Sequence, residues 1–165
     1  MLVIREARPS EAATICALEQ LCFPANEAAD GEEMLERLKL FPENFLVAEV
    51  DGILRGYIDG ASSDQCRIDP SMYHDASRHV SGGDYLLVYG VAVHPNARGQ
   101  GIASMLLKSY AALAKKRGQK GVALRCKDYE VRYYSRLGFR DLGPCRTGHG
   151  HDMILSTDQS GMSAA

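Results

Sequence analysis

Residues 85–93 read Tyr-Leu-Leu-Val-Tyr-Gly-Val-Ala-Val, nine positions without a charge. A strand this apolar must be covered on both faces, which places it inside a sheet flanked by other elements and not at a solvated edge. Gly90 interrupts the run. A glycine within a strand marks a bulge or a close backbone approach, and a bulge here would splay the strand from its neighbour. Soon after, Arg98-Gly99-Gln100-Gly101 opens a helical periodicity with Ile102, Leu106, Tyr110 and Leu113 on one side, closed at Arg117-Gly118.

The other segments fall into place around this strand, turn and helix. Residues 2–7 alternate like a short strand, and Ser10 caps a helix carrying Ile15, Cys16, Leu18 and Leu21. A second helix starts near Gly31 and is stopped by Pro42. Two β-rich runs between 45 and 60 are joined by Asp51-Gly52, a strong hairpin signal. Residues 61–84 hold few large apolar side chains and read as a long excursion of the kind that carries function. Residues 121–126 make a strand, 128–137 a short helix ended by Gly138, and 139–143 and 151–155 two last strands. The order βααβββαβαββ predicts an α/β (α+β) fold with a mixed central sheet whose central strands splay. At 165 residues and 45% apolar content it is one domain over 1–155, with 156–165 too polar to pack.

A net charge of −2 supplies no basic field, so nucleic acid is not expected as a partner. The N-terminus lacks the apolar core of a signal peptide, and no stretch approaches the ~18 apolar residues of a membrane span, so no membrane partner is expected and the chain reads as cytoplasmic. Five cysteines without a C-x-x-C pair read as free core thiols. His149 and His151 would share one face of a strand, yet no third ligand is near, and no metal is expected.

The turn at 98–103 has the makings of an anion site, because a helix N-terminus presents unpaired N–H groups and partial positive charge. A P-loop would need a Lys-Ser/Thr after its glycine, which is missing. A dinucleotide fingerprint would follow the strand directly and find an acidic residue at the end of the next strand, where this chain has Arg125-Cys126-Lys127. Arg98-x-x-Gly101-x-Ala103 after a Val-Ala-Val run resembles instead the pyrophosphate turn of the GNAT superfamily, the acyl-CoA-dependent N-acyltransferases. Tyr133-Tyr134-Ser135-Arg136-Leu137-Gly138-Phe139 lies about 30 residues on, where that family has a tyrosine before a Gly-Phe pair. Residues 124–145, with Cys126-Lys127-Asp128 and Gly143-Pro144-Cys145, are similar to the arylalkylamine (serotonin) N-acetyltransferase branch.

The resemblance implies a GNAT fold and an enzyme that moves acetyl from acetyl-CoA to a primary amine by direct attack in a ternary complex. It implies a small arylalkylamine or polyamine-like acceptor, with a protein N-terminus or lysine, or a non-catalytic acyl-CoA-binding module, as alternatives. A monomer or homodimer would serve. The co-substrate would lie on Val91, Ala92 and Val93 and on the turn Arg98, Gly99, Gln100, Gly101, Ile102 and Ala103. Tyr134 would return a proton to the leaving thiolate, as a phenol of ordinary pKa about 10 can, and Tyr133 would pack. The branch's two base histidines are replaced by Leu87 and Tyr89. Asp84, His79, His74 or a water chain leaning on Tyr89 are the substitutes, and acyl transfer through Cys126 is not expected.

Overall fold

The computed structural model describes residues 1–146 and 148–158. Its elements run β1 (Leu2–Glu6), α1 (Ala12–Cys22), α2 (Gly31–Leu40), β2 (Leu46–Val50), β3 (Ile53–Asp59), β4 (Ser62–Ser63), β5 (Tyr85–Val88), β6 (Gly90–Val93), α3 (Ile102–Lys116), β7 (Gly121–Cys126), α4 (Val131–Arg136), β8 (Arg140–Pro144) and β9 (His151–Ser156). The strands form two sheets, ordered β1-β2-β3-β6 and β4-β5-β7-β9-β8. β5 and β7 are parallel, and the remaining pairs are antiparallel.

The apolar run at 85–93 crosses from one sheet to the other. It breaks at Tyr89, so that β5 belongs to the second sheet and β6 to the first. The cause is a bulge opposite Asp59, whose carbonyl accepts from Tyr89 N–H at 2.7 Å while its Cα stands in register with Gly90. Two residues on one strand facing one on the other bend the bulged strand.

Both faces are covered, as the apolar run requires. α3 lies on one, burying Leu106, Leu107 and Tyr110 against Leu46, Ala48, Ile58, Val88, Val122 and Leu124. On the other face α1 and α2 pack Ile15, Leu18, Met34 and Leu38 against Val47, Tyr57 and Ala92. The excursion at 64–84 is built of short turns, and its Ile68 and Met72 cover Leu87 and Ala123 on that same side. Asp30 caps α2 by accepting from Glu33 N–H at 2.8 Å, and Glu33 returns the bond to Asp30 N–H.

Two expectations need correction. His149 precedes β9, so it and His151 do not share a strand face; His151 instead meets Asp141 at 2.9 Å. Ser156 and Thr157 are not part of a tail: Ser156 ends β9 beside Gly121, and the Thr157 hydroxyl donates to Gln119 O at 2.7 Å. Asp158 N–H donates to Ser156 Oγ at 3.3 Å, and the remainder of that expected tail, 159–165, lies outside the described residues. Among the described residues no helix is long and apolar enough to cross a membrane, and no cluster of three His, Cys, Asp or Glu side chains could hold a metal.

Candidate active site

β5 pairs with β7 from Tyr85↔Gly121 to Val88↔Leu124. Beyond Val88 the partners separate, because β7 continues to Cys126 against β9 while β6 follows β3. His94 N–H donates to Arg55 O at 2.7 Å, which fixes the phase of the β3–β6 ladder. Gly90 and Ala92 therefore bond toward β3, and the N–H and C=O groups of Val91 and Val93 point to the open edge. The Val93 carbonyl confirms the phase, since it accepts from Arg98 Nε at 3.2 Å and from the Cys22 thiol at 3.4 Å. A groove of about 440 Å³ runs along this edge.

Its floor and one end are the turn after β6. Gly99 and Gly101 have φ of +81° and +77°, a region that costs L-residues roughly 1–2 kcal/mol. A Cβ at either would meet nothing within 4 Å, so the backbone conformation selects glycine there while the space beside it is open. Gly101 leaves α3 without a side-chain cap. The N–H groups of Ile102, Ala103 and Ser104 have no acceptor within their own helix; Met105 N–H is the first to find one, at Gly101 O (3.0 Å). Donors, dipole and the exposed Arg98 guanidinium together make a seat for a phosphate.

The structure gathers Val91, Ala92, Val93, Arg98, Gly99, Gly101, Ile102 and Ala103 on the groove wall; Gln100 is exposed outside it. Cys22 and Phe23 from the end of α1, and Tyr133 from α4, complete the wall. Tyr133 was expected to pack, yet it is 42% exposed and faces the groove. Tyr134 is the buried one, its ring edge-on to Tyr133 at 5.1 Å and to Phe139 at 5.8 Å. Burial pushes the Tyr134 phenol well above its ordinary range, so it keeps its proton at neutral pH. Burial likewise raises Cys126 to about 12, which keeps it a thiol and a poor nucleophile.

The residues singled out as bases do not converge. Asp84 pairs with Lys120 at 3.3 Å at the far end of β5, about 16 Å from Tyr89 at ~3.3 Å per residue. His79 accepts from Ser62 N–H at 3.0 Å and lines a second cavity of about 250 Å³ with Glu43, Asp84, Arg117 and Gln119. That cavity sits past the C-terminus of α3, about 22 Å from the glycine turn at ~1.5 Å per residue. His74 bonds Glu33 at 2.6 Å on the surface. Only Tyr89 stands at the bulge, its ring against Phe41 at 6.2 Å and Tyr73 at 5.4 Å, with Arg37 over its face at 5.2 Å. Desolvation pushes the Tyr89 phenol up to about 12.

A buried polar cluster behind the bulge escaped the sequence reading. Glu19, Arg37, Tyr57 and Asp59 are all at most 4% exposed. Tyr57 donates to Glu19 Oε1, Ala29 N–H donates to Glu19 Oε2, and Arg37 Nη1 donates to Asp59 Oδ2 at 3.2 Å. Arg37 Nη2 donates to the Tyr73 carbonyl at 2.8 Å. The readable signal was an acid at the end of an apolar strand, Tyr57-Ile58-Asp59, with a second acid amid the apolar positions of α1.

Two sheets that part at a bulge, above a glycine turn opening a helix, define an α+β fold with an exposed strand edge that leads to an anion-binding helix start. Residues 12–139 match the family model of the Acetyltransferase (GNAT) family, and the chain belongs to that family. The curated serotonin N-acetyltransferase of Pan troglodytes is 33% identical over 117 residues, 70% of this chain and 55% of that protein. The chain thus spans about half the length of the curated relatives it matches. Among solved structures, the loading GNATL domain of CurA from Lyngbya majuscula superposes with a TM-score of 0.84 at 16% identity, covering 96% of this chain and 98% of that one. A GphF GNAT-like decarboxylase in complex with isobutyryl-CoA gives 0.77 at 24% identity, over 94% and 99%.

Proposed function

We propose that the protein is an N-acetyltransferase that passes acetyl from acetyl-CoA to a small primary amine by direct attack in a ternary complex. The observation that carries this reading is the open edge of β6, which runs from the bulge to a phosphate seat at the start of α3. The CoA pyrophosphate would rest on the N–H groups of Gly99 to Ala103 with Arg98 at the rim. The pantetheine amides would pair with Val91 and Val93 as an added strand. The thioester oxygen, gaining charge during attack, would take the Val91 N–H. Tyr134, held protonated by burial, would protonate the departing thiolate.

The acceptor would approach from the α1–α2 side, where the half-buried Tyr73 and Tyr89, backed by the enclosed Phe41, offer aromatic surface. That surface, and relatives named serotonin N-acetyltransferase, favour an arylalkylamine. The covering excursion is less suited to a peptide. Five free cysteines fit a reducing, cytoplasmic setting. The test is release of free thiol from acetyl-CoA with tryptamine, phenethylamine, spermidine and a peptide with a free N-terminus. Release is expected with the arylalkylamines; binding of acetyl-CoA without release with any amine or peptide would leave a non-catalytic acyl-CoA module.

A further inference from the structure

An alkyl ammonium has a pKa near 10.4 and cannot attack a thioester until it sheds a proton. Of the expected candidates only Tyr89 stands at the bulge, and its phenol keeps its proton at neutral pH, but three further oxygens meet there. A Cβ built on Gly90 would lie 3.1 Å from Glu19 Oε1, 3.1 Å from the Tyr57 hydroxyl and 3.4 Å from Asp59 Oδ1. Any side chain where β5 gives way to β6 would press on this cluster, which favours glycine there.

The cluster is one positive charge short. Two carboxyl groups and one guanidinium are enclosed together, and desolvation gives a site of this kind a raised affinity for a proton. Both Glu19 oxygens already accept hydrogen bonds, from Tyr57 and Ala29. Asp59 Oδ2 takes Arg37, while Asp59 Oδ1 is fully buried and without a partner, the open position. A second orphan, the Tyr89 hydroxyl, lies on the same bulge.

We propose that Asp59, within the Glu19–Tyr57–Arg37 cluster under Gly90, is the proton acceptor for the incoming amine, reached through water at the bulge and not by direct contact. This rests on the acetyltransferase reading. The ammonium passes a proton to the Asp59 carboxylate. Its freed lone pair forms the C–N bond to the thioester carbon, and the C–S bond breaks as the thiolate takes the Tyr134 proton. The adduct nitrogen gives up its second proton to restore the phenol, and Asp59 releases its own to solvent.

Asp59 is faced by Arg37 from α2, Glu19 from α1, Tyr57 from its own strand, Tyr110 from α3 and Tyr89 from the bulge, with Asp75 and Arg78 of the excursion acting on Tyr89. Burial, against the pull of Arg37 and with Glu19 adding to the rise, brings Asp59 to about 6. A base of that strength is ionised at neutral pH and still able to accept.

The experiment is the pH profile of kcat/KM, with the amine that releases thiol fastest, for the wild type, Asp59→Asn and Glu19→Gln. It is paired with a carboxyl ¹³C titration of the wild type. The wild type should show an acid limb near pH 6, and one Asp carboxyl should titrate there. Asp59→Asn should lose the limb and about a hundredfold in kcat while its acetyl-CoA affinity stays put. Glu19→Gln should move the limb to lower pH, a shift that mere loss of packing does not produce. An Asp59→Asn profile that superimposes on the wild type overturns the inference and leaves the transferase reading standing. If that variant does not fold, the wild-type titration decides, and Asp and Glu carboxyls that all titrate in the ordinary range overturn it. No thiol release with any amine overturns the transferase reading first, and this inference with it.

Discussion

Two adjacent tyrosines of α4 divide their work by environment. Tyr133 is partly exposed on the groove wall, and Tyr134 beside it is buried, its ring edge-on to Tyr133 and Phe139. A phenol pushed up by burial is a reliable carrier of one proton and a hydrogen-bond donor to a developing thiolate. Tyr134→Phe should lower kcat by about a hundredfold, the usual scale of one general acid. Acetyl-CoA binding, read by calorimetry, should be unchanged, and an unchanged kcat would remove Tyr134 from the chemistry. At this scale the sequence was least transparent. Asp84 and His79 are chemically reasonable bases, but strand length and the span of α3 carry them to a different cavity. Asp59 and Glu19 are ordinary letters in the sequence, and only the fold makes them neighbours across a separation of 40 positions.

At the scale of elements the glycine turn and α3 act together. The positive φ of Gly101 aims the first N–H groups of the helix into the groove. Gly101→Ala meets no steric neighbour, so its effect should come from backbone strain alone, about 1–2 kcal/mol. The urea midpoint should fall accordingly, and acetyl-CoA affinity should drop as the turn relaxes; a variant with wild-type affinity would separate the turn's conformation from binding. The far half of α3 is pinned differently. The buried Tyr110 hydroxyl lies 3.1 Å from Asn44 O, 3.3 Å from Leu87 O and 3.4 Å from Gly60 O, carbonyls that border the junction of the two sheets. Tyr110→Phe leaves those carbonyls without this donor and should cost about 1–3 kcal/mol in denaturant titration. Elements were the legible level of the sequence, because periodicity, the Asp51-Gly52 turn and the long apolar run are local signals. The crossing of that run between sheets was legible only as a bulge at Gly90; the break itself depends on β3 and β7 pulling in different directions.

For the whole molecule, the point where the sheets part encloses the Asp59 carboxyl, and that leaves a mark on stability. Asp59 keeps its proton to about pH 6 in the folded chain, whereas an unfolded Asp loses it near 3.8. A folded-state pKa raised in this way favours the native state below the unfolded value, and the advantage is lost as pH rises through the folded one. Carboxylates held low by their partners, such as Glu11 beside Arg5 and Asp141 beside His151, impose the opposite trend at acid pH. The contribution of Asp59 is therefore seen as a difference: the stability of the wild type minus that of Asp59→Asn, from urea titrations at fixed pH, should decline between about pH 4 and pH 6 and level off above. A difference flat across that window would mean that the enclosed carboxyl is already ionised at pH 4. It would also mean that Arg37, 3.2 Å from its Oδ2, outweighs the burial that separates the two sheets.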